Sequence, residues 1–255
     1  MRALAVSSLP LLLAACASAP TQSGFLSGYD GMAEREDTVR AAVNERRDAQ
    51  GLSKVGRVFI APTRIEADAP WLNEVERTLL LREIDAQLCF ELSERFEIAQ
   101  EADEAAARVR AAVTGVEPTG RAASAASAAA SFFIPGPLGL RAPGALGALS
   151  AEAEMLAPGG SDQIAAISWT RTATAVGTDD PSLSRVGDAL QFAEPFADAA
   201  AAVMTPDTPT KRKIEAGADP CVRFGARFRP EGWAAKFATG LYVPQMSGAK
   251  AEAEK

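Results

Sequence analysis

A mixed α/β domain is the fold class the sequence predicts, and three stretches predict it. Residues 55–62 (Val-Gly-Arg-Val-Phe-Ile-Ala-Pro) are apolar and β-branched and end in proline, the pattern of a short strand. Residues 71–96 repeat apolar side chains at three- and four-residue spacing, through Leu72, Val75, Leu79, Ile84, Leu88 and Leu92, with Glu74, Glu76, Arg77, Glu83, Gln87 and Glu94 on the solvated side. Residues 149–156 and 164–176 read as two strands around Ala157-Pro158-Gly159-Gly160-Ser161-Asp162, a run of turn formers, and so predict a hairpin. Together these give a mixed sheet of about four or five strands flanked by two main helices. The competing arrangement is an α+β sandwich with a small C-terminal subdomain.

The chain opens Met1-Arg2, one positive charge and no acid, followed by an apolar run from Ala3 to Leu13. That run suits a signal-peptide core and falls short of the roughly 20 residues a bilayer span needs. It closes on Leu13-Ala14-Ala15-Cys16, which resembles the bacterial lipobox: a leucine, two small residues, then the cysteine that takes the acyl chains. The expectation is cleavage before Cys16 and a lipid anchor on its sulfur. Two or three chains hold firmly where one does not, at about 0.8 kcal/mol per buried methylene. Ala17 rather than Asp follows the cysteine, which by resemblance to Gram-negative lipoproteins implies the outer membrane, facing the periplasm. The domain plan is then a signal peptide over 1–15, a tether and charged N-terminal arm over 16–54, an α/β domain over 55–204, and a C-terminal extension with a disordered tail over 205–255.

Between these landmarks, residues 33–54 are strongly charged and read as a helix or an ordered arm, and Phe96-Glu97-Ile98-Ala99 as a short strand. Residues 107–118 read as another strand. Residues 122–131 form an alanine-serine run leading into a long loop. Asp180-Pro181-Ser182 starts a helix that reaches about Met204, with Pro195 as a kink.

Composition narrows the function classes. The net charge is −7, and losing Arg2 with the signal makes it −8, which argues against nucleic acid as a partner. Histidine is absent, which removes Ser-His-Asp and Cys-His catalysis and every histidine-containing zinc site. No phosphate-binding or dinucleotide-binding motif occurs, and no catalytic residue, metal site or cofactor is predicted. Of the three cysteines, Cys16 is taken by the anchor. Cys89 and Cys221 remain, an even pair that predicts a disulfide in an oxidising compartment.

Several pieces together resemble a family of proteobacterial lipoproteins known only as domain of unknown function 3313. They are the lipobox, Ser23-Gly24-Phe25-Leu26-Ser27-Gly28-Tyr29 (close to that family's SGFL-x-x-Y opening), the Val58–Pro62 and Arg108–Pro118 strands and the Gly147–Arg171 hairpin. The resemblance covers roughly residues 16–204 and implies an envelope address and an α/β domain. It implies no activity and no catalytic residues.

Three places remain for function. Glu152 and Glu154 lie two apart on one strand and hence on one face, where a carboxylate pair can serve as acid and base or bind calcium; the plainer reading is a solvated sheet face near Arg171. Phe132, Phe133, Ile134, Leu138 and Leu140 sit in a glycine-proline stretch without acids, as a contact surface or as packing beneath the sheet. Arg223, Arg227 and Trp233 lie in an arginine-aromatic alternation suited to anionic lipid or glycan, or to an edge strand with its arginines in water. The expected partners are the membrane through Cys16 and an envelope protein or peptidoglycan. The function this favours is a non-enzymatic binding or assembly lipoprotein; the rivals are a carboxylate-dependent hydrolase of envelope material and a lipid or peptidoglycan binder.

Overall fold

The computed structural model describes residues 20–38, 40–131, 139–142, 144–177, 179, 181–207 and 219–225. In chain order the strands are β1 (Ala33–Glu34), β2 (Ala42–Arg47), β3 (Arg57–Ile60), β4 (Arg64–Ile65), β5 (Glu97–Ile98), β6 (Ala107–Glu117), β7 (Gly139–Leu140), β8 (Ala148–Leu156), β9 (Gln163–Thr172) and β10 (Val176–Gly177). The helices are α1 (Ala49–Leu52), α2 (Glu74–Ser93), α3 (Arg121–Ser131) and α4 (Gly187–Met204), with a 3-10 turn at Val222–Phe224.

Eight strands form one mixed sheet in the order β1-β2-β9-β8-β6-β3-β5, with β4 also paired to β6. The run from β1 to β6 is antiparallel, and β3, β4 and β5 join in parallel. A separate two-stranded sheet joins β7 and β10. The expectation of about four or five strands is therefore an undercount. The extra strands β1 and β4 have two residues each, too few to show alternation, whereas β5 lies within the short strand expected at 96–99. The third, β2, comes from the charged stretch expected as a helix or an ordered arm. Only Ala42 and Val43 of β2 are buried, and its place is set by pairing with β9, where Val43 faces Trp169.

The helix at 71–96 starts three residues later than its apolar spacing suggests, because Asn73 caps it. The Asn73 side chain accepts from the Glu76 N–H at 2.9 Å, and the Glu76 carboxylate accepts from the Asn73 N–H at 3.2 Å. Glu83 and Gln87, expected in solvent, are buried, with the Gln87 amide donating to Glu83 at 2.8 Å. Helices α2 and α4 pack together on one face of the sheet and share one core with it. That core holds Leu80, Ile84, Leu88 and Leu92 of α2, Phe192 and Phe196 of α4, and Val109, Val113, Met155, Ile167 and Trp169 of the strands. A bulge between Val113 and Gly115 of β6 shifts the register against β8.

The alanine-serine run ahead of the expected loop is helix α3: alanine has the highest helix propensity, and Ser124, Ser127 and Ala128 are buried. The expected long loop is also pinned. Arg141 and Asp188, at the N-terminus of α4, form an ion pair whose side chains are 1% and 0% exposed. Asp188 also accepts from the Thr119 hydroxyl at 2.9 Å and the Gly147 N–H at 2.7 Å. Gly147 is a close approach: a Cβ there would lie 2.9 Å from the Glu117 carbonyl and 3.0 Å from Asp188. One carboxylate thus ties the end of β6, the start of β8, Arg141 and α4 together. Helix α4 begins at Gly187, later than Asp180-Pro181-Ser182, and carries Pro195 internally.

Cys89 of α2 and Cys221 are joined by a disulfide, with their Cα atoms 5.7 Å apart. The bridge fastens residues 219–225 to the central helix.

Candidate functional site

The face of the sheet opposite the helices carries the Glu152–Glu154 pair, and it is not solvated. Both carboxylates are fully buried. Residues Ser23–Tyr29 lie across them as a strap. Glu152 Oε2 accepts from the Ser23 hydroxyl at 2.5 Å and the Tyr29 hydroxyl at 2.9 Å. Its Oε1 accepts from the Ser23 N–H at 3.4 Å and the Ser168 hydroxyl at 3.3 Å. Glu154 Oε2 accepts from the Ser27 N–H and the Gln163 amide, both at 2.8 Å. Its Oε1 accepts from the Ser27 hydroxyl at 3.0 Å and pairs with Arg110. Each of the four oxygens has two donors.

Each fixed residue of the Ser-Gly-Phe-Leu-x-x-Tyr motif has a part in this docking. Ser23 supplies two donors. Gly24 adopts φ +89°, a left-handed conformation that glycine tolerates, and its N–H donates to the Tyr29 hydroxyl at 2.8 Å. Phe25 lies beneath the Arg110 guanidinium, 5.1 Å from its ring centre, and its carbonyl accepts from Arg110 at 3.1 Å. Leu26 is buried. The Tyr29 hydroxyl closes the turn by accepting from the Gly24 and Leu26 N–H groups and donates its own hydrogen bond to Glu152. Arg171 takes no part. It lies on the helical side, paired with Asp179 and stacked over Phe192.

The carboxylate pair is thus spent on holding the strap. A second place is open. A crevice of about 670 Å³ lies where β3 ends, lined by Phe59, Ile60, Leu81, Arg82, Asp85 and Phe224 among others. The space beyond the carboxyl ends of parallel strands is a usual ligand position. Asp85 projects into it from α2 and is itself only 7% exposed. Its Oδ1 accepts from the Thr63 N–H at 2.9 Å and the Thr63 hydroxyl at 2.6 Å; Oδ2 has no hydrogen-bond partner among the described residues. Burial pushes the Asp85 carboxyl up from 3.8 to about 6, against the opposing pull of the Thr63 bonds and the Arg223 charge. A carboxylate kept at such a cost in a cleft is a feature of functional sites more than of structural ones.

That cost has a measurable sign. A folded-state value raised above the unfolded one means the native state binds the proton more tightly. Stability from this group is therefore highest below pH 3.8 and falls as pH rises to about 6. Asp85→Asn is expected to raise the unfolding free energy at pH 7.5 by about 3 kcal/mol and to change it little at pH 4. Urea melts of variant and parent at the two pH values check this; an equal difference at both would remove Asp85 as the titrating group.

Arg223 stands exposed at the wall of this crevice, in the 3-10 turn rather than in an edge strand. Its guanidinium lies 5.3 Å from the Phe59 ring centre and 4.4 Å from that of Phe224, and donates to the carbonyls of Ile60 at 3.0 Å and Gln100 at 2.5 Å. Cys16, Phe132, Phe133, Ile134, Leu138, Arg227 and Trp233 lie outside the described residues, and of Leu140 only the backbone, paired with Val176, is described. Among the described residues no group of three or more Cys, Asp or Glu is placed to hold a metal ion, and no helix is long and apolar enough to cross a membrane.

A mixed sheet with two helices on one face and a docked N-terminal strap on the other defines an α/β domain whose motif residues serve its own architecture. The chain belongs to the family described as protein of unknown function (DUF3313), whose model matches residues 21–200 and so takes in the strap, α2 and most of α4. Comparison with curated proteins gives no match. Among solved structures, the chain is similar to the PelC dodecamer from Paraburkholderia phytofirmans at 11% identity, and to a methionine-substituted variant of it at 10% identity. In both cases the TM-score is 0.39, with 66% of this chain and 99% of the other covered.

Proposed function

We propose that the protein is a lipid-anchored lipoprotein of the outer membrane, facing the periplasm, that works by binding or assembly rather than by catalysis. The observation that carries this reading is the saturation of Glu152 and Glu154. The rival hydrolase needs one carboxyl open to substrate as acid and another as base. Here both are fully buried, and each oxygen accepts from two donors. The address rests on Leu13-Ala14-Ala15-Cys16, and the described strap follows that cysteine closely, at Ser23. The crevice at Asp85, with an apolar wall and a buried carboxyl, is where a ligand from the envelope, a protein segment or a peptidoglycan fragment, would be received.

The anchor is tested by Cys16→Ser. The parent is expected to take up labelled palmitate and to sediment with outer membranes, and the variant to do neither. Unchanged membrane retention of Cys16→Ser would contradict the anchor.

A further inference from the structure

We infer that the Ser23–Tyr29 strap is a short leash that turns the strap-covered face of the sheet, not the helical face, toward the membrane holding Cys16. The inference rests on the lipid anchor proposed above and deepens it from an address to an orientation.

The argument is one of lengths. Six residues lie between Cys16 and Ser23, the first docked residue, which makes seven steps along the chain. Fully extended these reach about 25 Å. A domain of this size has a radius of about 21 Å, so the path around it from one face to the opposite one is about 65 Å. With the strap docked, the tether cannot bring the α2–α4 face to the lipid. Without docking, the next long strand is β2 at Ala42, and the 26 residues from Cys16 reach about 90 Å. That exceeds the path around the domain, and every orientation becomes available. The strap's hold is strong for so short a segment: Leu26 is buried, and Ser23, Ser27 and Tyr29 donate to two fully buried carboxylates. The docking motif therefore sets which surface faces lipid and leaves the α2–α4 face toward the periplasm.

The test uses the mature, lipidated full-length protein in vesicles of phosphatidylethanolamine and phosphatidylglycerol that contain a head-group rhodamine lipid. A donor dye is placed at Arg108→Cys, an exposed position on the strap-covered face, or at Val75→Cys, 75% exposed on α2. Energy transfer to the lipid is expected to be at least about twofold stronger from position 108 than from 75, given a domain about 40 Å across. Inserting about twenty glycine-serine residues after Gln22 adds about 70 Å of reach and is expected to make the two positions equal. The mass of the N-terminal peptide is read on the same samples. Equal transfer from both positions on acylated protein overturns the leash alone, as does an asymmetry that survives the insertion. An unmodified Cys16 overturns the anchor and the leash with it.

Discussion

Asp188→Ala is expected to lower the unfolding free energy by about 3 to 5 kcal/mol, the cost of leaving a buried charge without its partner. Arg141 keeps a 1% exposed side chain and loses both bonds to the carboxylate, at 2.6 and 2.8 Å, while Thr119 and the Gly147 N–H lose an acceptor. The carboxylate also stands at the N-terminus of α4, where the helix dipole favours a negative charge. Arg141→Met combined with Asp188→Leu is expected to regain part of the loss, since it removes the orphaned charge but still leaves Thr119 and the Gly147 N–H without their acceptor. Urea denaturation of the two variants beside the parent measures both effects. A loss below about 1 kcal/mol for Asp188→Ala would place the pair among surface bridges rather than buried ones.

Glu154→Ala is expected to cost about 3 kcal/mol, with a different signature. Hydrogen bonds to a charged group contribute more than neutral ones, and this carboxylate accepts from Ser27 twice, from Gln163 and from Arg110. Arg110 is 31% exposed in its side chain and can turn to water, which keeps the cost below that at Asp188. The variant is expected to keep its sheet and helices, because the core lies on the other face. Limited proteolysis is expected to cut near residues 23–29 before the domain unfolds, where the parent resists. Equal resistance in both would mean that the strap does not depend on this carboxylate.

Much of the fold is legible in the sequence because its pattern is local. The alternation of β8 and β9 around a turn-forming loop, the apolar period of α2 and the long strand β6 announce themselves within a dozen residues. What escapes is set at a distance. Strand β2 reads Ala-Val-Asn-Glu-Arg-Arg and is a strand because β9 offers it a partner. Helix α3 hides in an alanine-serine run whose composition suggests low complexity. Placing Glu152 and Glu154 on one face is correct, but calling that face solvated misses a segment about 125 positions earlier that covers it. The signal was present in two halves: a motif rich in hydroxyl donors with little core material of its own, and two carboxylates two apart on an inner strand. Asp85 was missed because it sits one place from Ile84 in a helix judged by its apolar spacing. An acid directly beside a core position such as Ile84 is a reason to ask what it faces.

The central claim is that the strap is docked through the two glutamates, and amide hydrogen exchange of residues 23–29 tests it most directly. The Ser27 N–H donates to a fully buried carboxylate, and the Gly24 and Leu26 N–H groups to the Tyr29 hydroxyl. These three amides are predicted to exchange far more slowly than in a free peptide of the same sequence, and to lose that protection in Glu154→Ala. Exchange at free-peptide rates in the parent protein would contradict the docking, and the orientation built on it.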